Sequence, residues 1–316
     1  MNLENNEKKV AAALCRKSPL NCFVGKWQLM LLLMPALIYV LVFSYGPMYG
    51  IMIAFKNFKP HMGIWDSPWV GFENFRRFFA SPVFWRLIKN TLVVSIYSLL
   101  IGFPIPIIFA VMMNSVKNQR FKKCVQTITY APHFISIVVI VGMLKMFLSP
   151  DIGLVNVMIK KLGGDSIFFM GEPGWFSHIY VWSGVWQNIG WSAIIYMASL
   201  AGIDPTYYEA ATIDGATKMQ KIWNIDIPSI LPTITIMFIM NIGKVMSVGY
   251  EKVFLLQTDL NIQASEVIST YVYKMGLVNS QYSFSTAIGL FNSLINITML
   301  LAFNKLAKQV GSSGIW

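Results

Sequence analysis

Long, uninterrupted apolar runs alternate with short polar segments along this chain. Six runs are long enough to cross a bilayer, which takes about 20 helical residues. They fall near residues 27–54, 87–113, 130–148, 179–200, 228–250 and 284–303. The pattern predicts an all-α polytopic membrane protein with about six transmembrane helices. The first run is longer than a span requires and contains Pro47, which predicts a kink or a tilted end. Pro104 and Pro106 interrupt the second, where neighbouring helices and water can satisfy the freed carbonyls. Residues 1–26 are polar, and the apolar run from Trp27 to Tyr45 is too long for the core of a cleaved signal. A polar tail, 1–26, followed by one membrane domain, 27–310, is therefore expected.

Composition sharpens this reading. The chain is 55% hydrophobic and 12% charged, whereas a soluble globular chain carries about 25% charged residues. The net charge of +11 does not imply nucleic acid as a partner, because the basic residues lie between apolar runs and no basic domain exists. They act instead as orientation signals. With both termini in the cytoplasm, the inner segments 1–26, 114–129, 201–227 and 304–316 hold 13 basic residues against 10 outside. The loop "NSVKNQRFKKC" is the strongest single vote. Cys15, Cys22 and Cys124 show no paired or metal-ligand spacing and fall on the cytoplasmic side, which argues against a disulfide framework. The outer segment 56–86 is rich in aromatic residues, Gly and Pro, as suits an interfacial belt, with a docking surface for an external partner as the alternative.

Enzymatic chemistry has no visible seat. Gly25-Lys26 and Gly243-Lys244 lack the upstream glycine and the following Ser or Thr of a phosphate-binding loop. His61, His133 and His178 are widely separated, and no metal-ligand set, nucleophile elbow or carboxylate pair occurs. The chain reads as a transport component whose energy comes from elsewhere. An ion-coupled secondary transporter is the alternative, and it would be expected to show internal repeats or broken-helix ion sites, neither of which is evident. Intramembrane polar residues mark the candidate path for a solute. They are Gln187, Asn188, Asn241 and Lys244, together with Lys145, Asn292 and Asn296. Amides also tie helices together and Lys145 can snorkel. Trp182 and Trp186 form an i, i+4 pair that could stack on sugar rings, although Trp near a span end also serves as an interface anchor.

One polar stretch is more specific than a loop. In "YYEAATIDGATKMQKIWNIDIP", residues 207–228, Asp204-Pro205 just upstream supplies an N-cap carboxylate and a proline at the first helical position. The helix it starts should stop at Gly215, where a positive φ is free of strain. Thr217 and Gln220 then form a capping box for a second short helix, and Pro228 opens the next span. The spacing predicts helix, sharp turn, helix on the cytoplasmic surface.

Glu209-Ala210-Ala211, Gly215, Ile225 and Ile227-Pro228 have the order and spacing of the EAA motif, extended here through Asp214 and Ala216. The segment resembles that of permease subunits in binding-protein-dependent ABC importers, with Ile227 standing where Leu is common. "YGPMYGIMIAFKNF", "SPWVGFENFRRFF", "NTLVVS", "QTITYAPHFIS" and "STYVYKMGL" are similar to the LplB-type carbohydrate-uptake branch, over roughly residues 25–310. The resemblance implies that Glu209, Ala210, Ala211, Asp214, Gly215 and Ala216 couple the chain to an ATPase subunit. It also implies a second homologous permease subunit, an extracytoplasmic solute-binding protein and a carbohydrate cargo. ATP and Mg²⁺ would be held by the ATPase, with no cofactor on this chain, and the setting would be a bacterial cytoplasmic membrane.

Overall fold

The computed structural model describes residues 27–309, so the tail 1–26, with Cys15 and Cys22, lies outside the described residues. The described chain is helical, with one isolated antiparallel bridge between Lys56 and Trp69. Four helical stretches are long and apolar enough to cross a membrane: Gln28–Phe55, Phe84–Asn114, Lys218–Ile242 and Tyr282–Gln309. A bent pair, Gln119–Phe134 with Ile137–Phe147, makes a fifth if counted as one span.

Helix α1, Trp27–Val40, passes through a π-turn, Leu41–Tyr45, into a 3₁₀ stretch, Gly46–Phe55. Pro47 sits at the start of that stretch, where its missing N–H removes an α-helical hydrogen bond. A short helix α2, Glu73–Phe79, precedes α3, Phe84–Gly102, and α4, Pro104–Asn114, which meet at Phe103. Helices α5, Gln119–Tyr130, and α6, Ile137–Phe147, follow, then α7, Leu154–Lys161, and the 26-residue α8, Phe176–Ala201. Beyond α9, Pro205–Ile213, the continuous helix α10 covers Lys218–Ile242. The chain ends with α11, Tyr250–Leu256, α12, Ile268–Tyr273, and α13, Tyr282–Gln309.

Two expected spans differ. The third, 130–148, is not one straight helix: the chain bends by 100° between Phe134 and Ile137. Pro132 lies in the 3₁₀ turn there, and Ser136 caps the new helix by accepting from the Val139 amide. The fifth begins earlier and ends sooner than 228–250. Pro228 does not open it, because the π-turn Ile222–Asp226 carries the helix through, the Ile227 amide donating to the Ile222 carbonyl five residues back. Its far end unwinds after Ile242, so Lys244 stands in a turn rather than on a helix.

Helix α8, about 39 Å long at 1.5 Å per residue, forms the spine. The expected fourth span, 179–200, lies within it. It matches the four stretches in length, but its Trp, Ser, Gln and Asn residues keep it out of the set apolar enough to cross a membrane. Towards its first turn it joins a buried cluster with Val94, Val141, Val253 and Val267 through Phe176. Towards its last, Ala193, Tyr196 and Leu200 pack with Ala110, Val111 and Ile230. A third cluster holds α13 against α2, α3 and α12 through Phe284, Ile288, Phe78, Leu87 and Ile268. Lipid tails are as apolar as these side chains, so close packing and interhelical hydrogen bonds must hold the bundle. Thr91 Oγ1 accepts from the Ile268 amide at 3.0 Å. Asn296 compensates the unwound stretch after α10: its Oδ1 accepts from the Met246 amide at 3.0 Å, and its Nδ2 donates to Ser247 Oγ at 2.8 Å.

Candidate functional site

Two regions carry the predicted site residues. In the first, Asp204 caps α9 by accepting from the Thr206 amide at 2.9 Å, a bond that holds its carboxyl below the usual range. Pro205 takes the first helical position, as its fixed φ favours. At the other end the Ala216 amide donates to the Ala211 carbonyl at 2.8 Å and the Gly215 amide to the Thr212 carbonyl at 3.1 Å. Those are the paired bonds of a Schellman stop, with Gly215 at φ +74° as its left-handed residue. Thr217 and Gln220 then cap α10 reciprocally.

The two arms are cross-tied. Tyr208 Oη donates to the buried carboxylate of Asp226, and Lys221 Nζ donates to Thr212 Oγ1 at 2.6 Å. Burial, and then Asp226, push the Tyr208 phenol up to about 12. The outward surface is unpartnered: Glu209 and Ala210 are exposed, Ala211 and Ala216 half-buried. Around them Tyr207, Ile213, Met219 and Trp223 stand exposed, Ile213 at 87%. A tightly capped knob with an apolar surround is a shape for another protein to grip.

The second region is a cavity of about 930 Å³ between α3, α8, the end of α10 and the start of α11. Of the predicted residues it brings together Gln187, Asn188, Asn241 and Lys244. Trp182 and Trp186 do not join them. They line a separate apolar groove of about 320 Å³ with Leu144, Phe169 and His178, and Trp182 Nε1 donates to Tyr97 Oη at 3.0 Å. Trp191, one turn further on, does face the cavity.

Several amides in the cavity wall are committed to the protein. Gln187 Nε2 donates to the Ile135 carbonyl at 3.2 Å, across the α5–α6 bend. Asn188 Oδ1 lies 2.9 Å from His133 Nδ1, and His133 stacks on Trp191 with ring centroids 4.4 Å apart. Asn241 Nδ2 donates to the Met237 carbonyl at 2.8 Å, which leaves its oxygen for other use. Sequence reasoning missed Ser95, Ser98 and Lys252, all of which line the cavity. The hydroxyl oxygens of Ser95 and Ser98 are buried within the wall, without a hydrogen-bond partner among the described residues. Lys252, counted from the sequence as an outer-loop charge, is 7% exposed. Nothing local distinguishes it, since burial comes from α11 folding back onto α8. Among the described residues no group of three His, Cys, Asp or Glu could hold a metal ion.

A helical membrane bundle with a polar cavity and an exposed, tightly capped knob has the form of a multi-pass transport subunit. Residues 102–311 match the family described as binding-protein-dependent transport system inner membrane component, and the chain belongs to that family. It is 40% identical to protein LplB of Bacillus subtilis strain 168 over 291 residues, 92% of this chain and 91% of that protein. It is 41% identical to the polygalacturonan/rhamnogalacturonan transport system permease protein YteP of the same organism, covering 95% and 94% of the two chains. A solved bacterial alginate ABC transporter, in complex with an alginate pentasaccharide-bound periplasmic protein, contains a chain that superposes with a TM-score of 0.86. That chain is 38% identical, with 95% of this chain and all of that one covered. The chain is a permease component of an ABC-type importer.

Proposed function

We propose that this permease forms half of the translocation pathway for an oligosaccharide, in a bacterial cytoplasmic membrane with both termini inside. A second homologous permease supplies the other half, an extracytoplasmic binding protein delivers the cargo, and ATPase subunits drive the cycle. ATP and Mg²⁺ belong to those ATPases. The observation that carries the reading is the α9–Gly215–α10 knob, whose caps hold its shape and whose exposed face has no partner among the described residues.

Mechanically, α9 is tied to α10 through Tyr208 and Asp226, and α10 continues without a break to the cavity wall at Asn241. Displacement of the knob by an ATPase is thereby transmitted along a helix to the cargo site, and alternating access follows. The relatives' polygalacturonan, rhamnogalacturonan and alginate cargoes support a carbohydrate. So does a cavity wall that offers an amide oxygen, from Asn241, and an indole, from Trp191.

Purification of the tagged chain from its native membrane tests the reading. Co-purification of a second permease and an ATPase, with ATP-driven oligosaccharide uptake after reconstitution with the binding protein, is the expected result. A lone chain that moves solute without ATP overturns it.

A further inference from the structure

We propose that the cavity recognises an anionic oligosaccharide, with Lys252 as the residue that receives a sugar carboxylate. The inference rests on the importer reading above and names the cargo class within it.

Lys252 is buried and lines the cavity, yet among the described residues it forms no ion pair with a carboxylate. Its Nζ donates to the Tyr180 carbonyl at 2.9 Å and lies 4.9 Å from the centroid of the Tyr180 ring. An ammonium group has three donors, so two N–H groups remain uncommitted. Gly184 of α8 leaves room for this cation: a Cβ there would stand 3.3 Å from the ammonium and press it away from the helix. A desolvated ammonium without a counter-ion is expensive to keep inside a helical bundle, and such residues mark substrate pathways.

The rest of the wall fits a saccharide anion better than a bare ion. Lys244, exposed to the cavity, makes no ion pair. Trp191 and the amide oxygen of Asn241 also line the wall, and suit the C–H face and the hydroxyl groups of a sugar ring. Among the described residues Glu251 is the one acidic residue in the wall, and it is exposed whereas Lys252 is buried. A second carboxylate at the buried end has only Lys252 to meet.

The test uses the assembled importer in lipid nanodiscs, without its binding protein, and trigalacturonate against its fully methyl-esterified form. The two share ring stereochemistry and differ in charge. Wild type should bind the uronate on the order of tenfold more tightly than the ester, as one charge-assisted hydrogen bond provides. Lys252→Gln should abolish the difference and Lys252→Arg should retain it. Equal binding of both saccharides by the wild type overturns the proposal, and so does a preference that survives Lys252→Gln. Displacement of the uronate by an equal concentration of inorganic phosphate marks a general anion site and also overturns it. If Lys252→Gln does not assemble, the wild-type comparison and the arginine variant decide. An importer that pumps neutral oligosaccharides with ATP but ignores the uronate charge loses this inference and keeps the function proposed above.

Discussion

The knob at residues 204–227 and the cavity are both polar regions of an apolar protein, yet they are made in opposite ways. In the knob the caps and cross-ties join residues close in sequence, Tyr208 to Asp226 among them, and a further Tyr208 bond to Asn114 anchors it to α4. Its polar groups satisfy one another, and what remains exposed is a surface. In the cavity the polar groups come from Ser95, Asn188, Asn241 and Lys252, on four separate helices. Some of them satisfy nothing within the chain. A part that is pushed by a neighbour must be locally stiff, whereas a part that accepts a changing cargo must keep binding capacity unused.

The comparison is most easily broken at Gly215. A Cβ there meets no atom within 4 Å, so the cost of Gly215→Val is backbone strain alone, about 1–2 kcal/mol for a left-handed residue. Uptake per ATP in proteoliposomes should fall on the order of tenfold, since that strain is about one decade of an equilibrium constant, while the importer still assembles. Gly215→Asn should lose much less, because Asn tolerates this conformation. Normal coupling in the valine variant would mean that the stop is dispensable.

The cavity should respond in the other sense. Replacing Ser95 and Ser98 by Ala removes no hydrogen bond, so thermal stability should change by less than about 0.5 kcal/mol. Asn241→Ala, which takes an amide oxygen off the cavity wall, should instead lower saccharide affinity several-fold. Unchanged affinity would take Asn241 out of the pathway.

Tyr208→Phe probes the tie between knob and span. It removes one neutral-to-charged hydrogen bond, worth about 1–2 kcal/mol before solvent screening, and should lower coupling less than the glycine variant does. The pH dependence has a definite sign. Because the folded phenol is raised to about 12 from 10.0, its contribution is intact below pH 10 and is lost as pH climbs towards 12. Absorbance titration of wild type against Tyr208→Phe should show one phenol fewer ionising late. The smallest effect is expected at Trp182 and Trp186. Both line the separate groove, so alanine there should leave saccharide affinity within about twofold, as for sites far from a shared partner. A larger loss would join the groove to the pathway.

The knob was almost wholly legible from the chain because caps, stops and turns depend on residues within a few positions of one another. Asp204, Pro205, Gly215, Thr217 and Gln220 all do what their spacing predicts. The one local error was Pro228: a π-turn let the helix run through it, and the choice between breaking and bulging depends on the packing of Asp226 and Ile230. Cavity residues were legible only in part. Hydropathy finds a polar residue in an apolar run, but not the side it faces, and so it grouped Trp186 with Gln187 although they point into different spaces.

Apolar run length settles how much of the chain lies in the bilayer, since a bilayer of given thickness demands a given helix length. Spacing within the polar island likewise settles its helix–turn–helix form. Three outcomes were left to tertiary structure: the 100° bend after Phe134, the unwinding beyond Ile242 and the burial of Lys252. Each depends on a partner distant in sequence. Gln187 and Asn188 of α8 brace the bend, Asn296 of α13 satisfies the unwound backbone, and the Tyr180 carbonyl receives the ammonium. A polar group inside a bundle must find its partner wherever the fold has brought one, and no periodicity along the chain encodes that meeting.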